Sequence, residues 1–416
     1  MNQFSTIFII LLMLGTMLQL WLSLQHFLHI KKHKTTVPQG FVEKISLKDH
    51  SLAANYTMAK IKVQYVDLIF GAILLALWTV GGGIHYLDSQ LQTFELSPIW
   101  LGIVVILGVT LISDIIGLPL EIYKTFVTEE KFGFNKTTPQ LYIKDWFVNN
   151  LVSFAIMIPL LATVLWLMDS TGTYWWLLVW AVFISFMLFM MWAYPTFIAP
   201  LYNKFTPLED QELKQKIEKL LDSGGFHCDG IFVMDGSKRS GHGNAYFTGL
   251  GSKKRIVFFD TLLESLTHEE IEAVLAHELG HFKHKHIVKK LINTSAISLG
   301  CLALLGWLIE QNWFFNGLAI DTPSNHLAIL LFMLIFPVFN IFFTPIFSFL
   351  SRKQEFEADE YAVSQTGKIH LPNALVKMYK DNASTLTPSP IYSAFYDSHP
   401  PAPIRINHIQ SLGDSQ

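Results

Sequence analysis

Residues 99–120 read IWLGIVVILGVTLISDIIGLPL, twenty-two positions with a single charged residue, Asp114. As a helix this stretch is about 33 Å long at 1.5 Å per residue. That is enough to cross a hydrocarbon core of about 30 Å. Six more stretches of the same kind lie at roughly 4–24, 66–87, 146–168, 174–198, 287–309 and 326–349. The first resembles a signal peptide only in position. Met1-Asn2-Gln3 carries no positive charge, the apolar run is too long, and no small-residue cleavage site follows. It reads as a retained helix. The expected fold is mainly α: a polytopic membrane protein with seven spans.

Bulk composition agrees. Of 416 residues, 51% are apolar and 15% charged, against about 25% charged in an ordinary soluble domain. Mean hydropathy is +0.36. A net charge of −3 gives no reason to expect a nucleic-acid partner. Cys228 and Cys301 are too few for a disulfide framework and lack metal-ligand spacing, so both read as structural.

Charge placement tests the span count. Lys31, Lys32, Lys34, Lys44, Lys48, Lys60 and Lys62 lie between spans 1 and 2. Lys124, Lys131, Lys136 and Lys144 lie between spans 3 and 4. Every other Lys and Arg lies between spans 5 and 6, at the start of span 6 or after span 7. The N-terminus and the loops near 88–98, 169–173 and 310–325 have none. Positive charge marks the cytoplasmic side, which predicts an outside N-terminus and a cytoplasmic C-terminus. That requires an odd number of spans. The expected organisation is spans 1–5 over 1–198, a segment folded outside the lipid over 199–286, spans 6–7 over 287–350, and a second such segment over 351–416; the motifs below make both the expected catalytic segments. Within the first, a polar helix runs to about Ser223 and stops at Gly224-Gly225. Strand-like runs follow at Ile231–Met234, Ala245–Thr248 and Ile256–Phe259, separated by turns such as Asp235-Gly236 and Gly249-Leu250-Gly251.

The chemistry-bearing motif is His277-Glu278-Leu279-Gly280-His281. Thr267 and Glu270 form a capping box that starts its helix. Residues four apart share a helix face, so the His277 and His281 imidazoles can chelate one zinc ion. Glu278 can act as general base on a zinc-bound water. A hydrolytic zinc site wants a third protein ligand. His284 and His286 are close in sequence but sit in a basic run at the membrane edge, where an interfacial role is expected. Better candidates follow span 7 in Ser351-Arg352-Lys353-Gln354-Glu355-Phe356-Glu357-Ala358-Asp359. Glu355 and Asp359 are four apart. One can bind zinc while the other orients a ligand histidine, and Glu357 points off this face. Asp114, Asn149, Asn150 and Asn340 are costly in lipid and should face a cavity or tie helices together.

With these motifs in this order, the chain resembles the integral-membrane type I CAAX prenyl proteases. The similarity extends to Pro195-Thr196-Phe197-Ile198-Ala199-Pro200-Leu201-Tyr202-Asn203-Lys204-Phe205, Asp235–Ser240, Asn244-Ala245-Tyr246, Arg255-Ile256-Val257, and His399-Pro400-Pro401 with Arg405. Gly241-His242-Gly243 stands where the family carries a serine-rich linker. The resemblance implies one Zn2+ held by His277, His281 and Glu355, with Glu278 as general base and Asp359 behind a ligand histidine. It implies that His399 and Arg405 stabilise the oxyanion or hold the site together, and that Asn244-Ala245 pair with substrate backbone. It also implies a seven-helix barrel around a water-filled chamber, with a peptide or protein substrate that can be prenylated. The short tail without an ER-retrieval lysine signal points to a bacterial inner membrane. The competing expectations are a membrane quality-control protease of the HtpX type and, further off, a transporter using zinc structurally.

Overall fold

The computed structural model describes residues 2–248 and 255–413. Among them, seven helices are long and apolar enough to span a membrane: Gln3–His33, Leu47–Trp78, Pro98–Glu129, Pro139–Ser170, Gly172–Tyr202, His286–Leu308 and Asn325–Thr366. The second differs from the expected 66–87. It begins at Leu47, where the Ser46 side chain caps the Asp49 N–H, so its first turns continue outside the apolar stretch. It ends at Trp78 because three glycines follow, with Gly82 at φ +76°, which a right-handed helix cannot accommodate. Residues Gly83–Gln92 form a separate short helix. The last span also overruns its apolar limit. After Asn340 the chain makes one 3₁₀ turn and resumes as the helix Thr344–Thr366. The boundary expected at 350 therefore falls inside a helix that carries Glu355 and Asp359.

The spans pack side to side in chain order, and span 7 returns to span 1, so the ring closes. One apolar core fills the ring at the end away from the catalytic segments. It holds Phe8, Ile103, Leu165, Trp175, Phe314 and Leu327. A second core lies under the catalytic segments and includes Ile217, Phe258, Leu275, Leu375 and Ile409. Between the two, spans 4, 5 and 6 bury no residue over 146–160, 180–192 and 287–304. A helix packed only on its flanks leaves two faces open.

The catalytic segment carries a four-stranded sheet of order β1-β2-β4-β3: β1 Phe205–Pro207, β2 Ile231–Met234, β3 Ala245–Thr248 and β4 Arg255–Phe259. β2 and β4 run parallel in the centre, Ile231 opposite Ile256, with β1 and β3 antiparallel at the edges. β1 escapes a sequence pattern because it is three residues long and includes a proline. The expected turn at Gly249-Leu250-Gly251 lies outside the described residues. The helix before β2 spans Gln211–Gly224 and closes on Gly225 at φ +69°.

Side-chain ties seat this segment on the ring. Arg239 donates to both carboxylate oxygens of Asp145 in span 4 at 2.7 and 2.9 Å, and to Asn203 after span 5 at 3.1 Å. His242, in the Gly241-His242-Gly243 segment, stacks on Phe134 with ring centroids 4.3 Å apart. Within the ring, Asp114 accepts from Trp146 Nε1 at 2.7 Å, which ties span 3 to span 4. Asn150 donates to the Trp146 carbonyl at 2.9 Å, within its own helix.

Candidate metal centre

Two helices build the centre. His268–Lys283 starts at the expected capping box, with the Thr267 N–H donating to Glu270 Oε2 at 2.8 Å and the Glu270 N–H to Thr267 Oγ1 at 3.4 Å. It packs lengthwise against Thr344–Thr366. The contact is lined with small, fully buried residues, Ala273, Ala276, Ala358 and Ala362, which lets the backbones approach closely. Gly280 marks the closest approach: a Cβ there would lie 2.8 Å from Ala358 Cα.

That approach brings together residues 74 positions apart. His277 Nε2 and His281 Nε2 are 3.3 Å apart. Glu355 Oε2 lies 3.4 Å from His277 Nε2, and Glu355 Oε1 lies 3.4 Å from His281 Nε2. A tetrahedron with metal–ligand bonds of about 2.0–2.1 Å has edges of about 3.3–3.4 Å. Glu355 Oε2 is buried and has no hydrogen bond of acceptable geometry, although His399 Nδ1 is only 2.7 Å away. Nitrogen and oxygen atoms converging at these distances fit a divalent cation. Glu278 is half-buried and makes no hydrogen bond or ion pair among the described residues, leaving its carboxylate available.

Behind His277 stand Asp359 and Arg405, both buried. His277 Nδ1 lies 2.9 Å from Asp359 Oδ1. Arg405 grips the same carboxylate with Nε at 2.8 Å and Nη2 at 2.5 Å. Burial lowers the pKa of His277, and the Arg405 charge adds to this, but Asp359 and Glu355 outweigh both and hold it above the ordinary histidine value. The same carboxylates that favour a proton there favour a metal cation. Arg405 is thus engaged beneath the centre. His399 is different: its side chain is 67% exposed and borders a cavity of 370 Å³ that reaches Thr57 and Lys60 of span 2.

Two residues given no such part from sequence join the site. His286, assigned an interfacial role above, is buried. Its Nδ1 lies 2.9 Å from His281 Nδ1, and its Nε2 lies 2.9 Å from Glu357 Oε2. The cause is local: Lys285 takes a left-handed φ of +56°, which bends the chain sharply between two helices and folds His286 back. His284 remains exposed at the surface. Glu357 faces away from the centre, as its spacing implies, but meets it again through His286. The second residue is Arg352, whose Nη1 donates to the carbonyls of Ser393 and Asp397 at 3.2 and 2.9 Å and so pins the turn carrying His399. Neither contact leaves a spacing signal, since both depend on where loops return.

Ala245 opens β3, the edge strand, and Asn244 precedes it. The Asn244 carbonyl accepts from the Phe259 N–H at 2.9 Å. The Phe247 ring packs 5.1 Å from Phe282, the residue after His281. The edge of the sheet therefore runs beside the histidine helix.

Two family profiles together span most of the chain. The profile for the CAAX prenyl protease N-terminal region, five membrane helices, matches residues 26–204. That for peptidase family M48 matches residues 207–412. The CAAX prenyl protease 1 of Saccharomyces cerevisiae is 38% identical over 323 residues, covering 73% of this chain and 71% of its own. The chain belongs to peptidase family M48. The Arabidopsis thaliana CAAX prenyl protease 1 homolog is 34% identical over 391 residues, 90% of each chain. The crystal structure of S. mikatae Ste24p superposes with a TM-score of 0.92 at 31% identity, over 98% of this M48 chain and 99% of that one. The protein is a multi-pass membrane metallopeptidase with a Ste24p-like fold, acting on a peptide or protein substrate.

Proposed function

We propose that this M48 protease binds one zinc ion through His277, His281 and Glu355 and cleaves prenylated CAAX-type peptides. The observation that carries the metal reading is the set of 3.3–3.4 Å separations among the two Nε2 atoms and the two Glu355 carboxylate oxygens. Bound there, zinc supplies a Lewis acid for the scissile carbonyl and lowers the pKa of an attacking water. Glu278, one residue from His277 and unpaired, takes that water's proton and passes it to the leaving amine. His399, exposed beside Glu355, presents its ring to the developing oxyanion. Asp359 holds His277 in the tautomer that leaves Nε2 free, and Arg405 holds Asp359, so Arg405 is a positioning residue. His286 does the same for His281, with Glu357 behind it. The peptide adds to the exposed edge of β3 at Asn244-Ala245.

The prenylated substrate class rests on the names of the relatives. Every Lys and Arg lies in a segment at the end of the ring that carries the catalytic residues, or at the adjoining helix ends. This supports a cytoplasmic catalytic face and an outside N-terminus. The relatives named above are eukaryotic, so the expected bacterial inner membrane finds no support in them. The test uses the purified full chain in detergent with a prenylated CAAX peptide and its unmodified counterpart. Glu278→Gln retains zinc by elemental analysis and loses cleavage by about 10²–10⁴-fold. Wild-type cleavage by that variant would sink the mechanism. Equal cleavage of both peptides by the wild type would remove the prenyl preference.

A further inference from the structure

A groove of 770 Å³ opens between spans 1, 2 and 3 at the end nearer the catalytic segments. It is separate from the cavity that His399 borders. On span 2, Thr57 and Lys60 line the cavity that holds His399, whereas Asn55, Lys62 and Val66 line the groove. At 100° per residue those three lie about 200–240° around the helix from Lys60, on the opposite face. The groove therefore looks outward into the membrane.

Its chemistry is two-part. The floor is apolar, with Val63, Val66, Leu120 and Tyr123 running along the spans. The rim carries Lys31, Lys34, Lys62 and Lys131, and no Asp or Glu lines it. Lys34 is held by Asn55 Oδ1 at 3.0 Å. Lys131 lies over the Phe132 ring. Lys31 and Lys62 have no hydrogen bond or ion pair among the described residues. Four cations around an apolar trough at a membrane edge are not balanced by the protein itself. A basic pocket between membrane helices at that depth suits a lipid headgroup.

We infer that this groove binds an anionic phospholipid, with the phosphate-bearing headgroup among Lys31, Lys62 and Lys131 and one acyl chain along Val63, Val66 and Leu120. Charge complementarity selects the anionic lipid over a zwitterionic one. The outward aspect excludes the carboxylate of the peptide being cleaved, which must reach His399 on the other face of span 2.

The test is native mass spectrometry of the full chain titrated with phosphatidylglycerol, with phosphatidylcholine, and with inorganic phosphate at matched concentration. A lysine at an anionic surface contributes about fivefold in affinity. Lys31→Gln/Lys62→Gln/Lys131→Gln should therefore weaken phosphatidylglycerol binding by about a hundredfold, toward the phosphatidylcholine level, with peptide cleavage retained. The corresponding triple Arg variant should keep the preference. Ala59 also lines the groove; should the Gln variant not fold, Ala59→Trp fills that space while leaving every lysine, and should also lose the lipid. The inference is overturned if the folded Gln variant, or Ala59→Trp, binds phosphatidylglycerol like the wild type. It is also overturned if inorganic phosphate displaces the lipid completely, which would make this an ion site.

Discussion

Gly280 sits between the two proposed histidine ligands, and replacing it with alanine should disable the centre without touching either of them. The added Cβ would lie 2.8 Å from Ala358 Cα, 3.0 Å from the Ala358 carbonyl oxygen and 3.1 Å from Tyr361 Cβ. Carbon atoms in contact prefer about 3.5–4.0 Å, so the helices must part by about 0.7–1.2 Å. Two of the three obstructing atoms are backbone, so a rotamer change cannot relieve the clash. One helix carries His277 and His281, and the other carries Glu355. Separations of 3.4 Å would grow toward 4 Å or beyond, too wide for about 2 Å bonds to one ion. Overpacking of this kind costs about 1–3 kcal/mol, and a 1 Å displacement of catalytic groups costs about 10²-fold in rate. The assay is kcat/KM on a CAAX peptide together with zinc affinity from chelator competition. Both should fall for Gly280→Ala, zinc affinity by about 5–150-fold. Wild-type zinc affinity and turnover would refute the claim that close helix packing sets the ligand geometry.

Two further outcomes follow from the groups behind the ligands. His286→Ala should lower zinc affinity by about 10–100-fold, since His281 then loses the partner that fixes its tautomer. Glu357→Gln keeps an acceptor for His286 Nε2 and should stay near wild type, whereas Glu357→Leu should follow His286→Ala. Unchanged affinity in His286→Ala would demote the contact to packing. Arg405→Ala leaves Asp359 buried without its cation and should cost about 3–5 kcal/mol of stability, read as the urea midpoint of the zinc-free protein. It should also weaken zinc. Loss of activity with full stability and full zinc occupancy would instead place Arg405 at the oxyanion.

Much of this was legible in sequence, and the exceptions have physical causes. The seven spans were visible because lipid demands long apolar runs, and the lysine distribution checks them independently. Span ends were less legible. Helices continue past the hydrocarbon when a cap such as Ser46 allows, and they stop early at glycines such as Gly82. Three strands were readable by their β-branched and aromatic runs, but β1 was too short. At the metal centre, i,i+4 spacing brought out His277 with His281 and Glu355 with Asp359, since each pair lies on one helix. His286 and Arg352 reach the site only through a left-handed turn and a returning loop. No period in the sequence encodes those paths. Asp114, open between cavity and packing roles, proved to tie span 3 to span 4 through Trp146.

The proposed ligand set is divided by a membrane hairpin: both histidines precede span 6, and the glutamate lies on the span-7 helix beyond its apolar stretch. This has a consequence in time. A ribosome adding about 5–20 residues per second needs about 4–15 s to pass from His281 to Glu355, and the intervening chain must also cross the bilayer twice. Until it does, the nascent protein has two imidazoles and no third ligand. On that proposed ligand set, cleavage has to wait until the last hairpin is threaded.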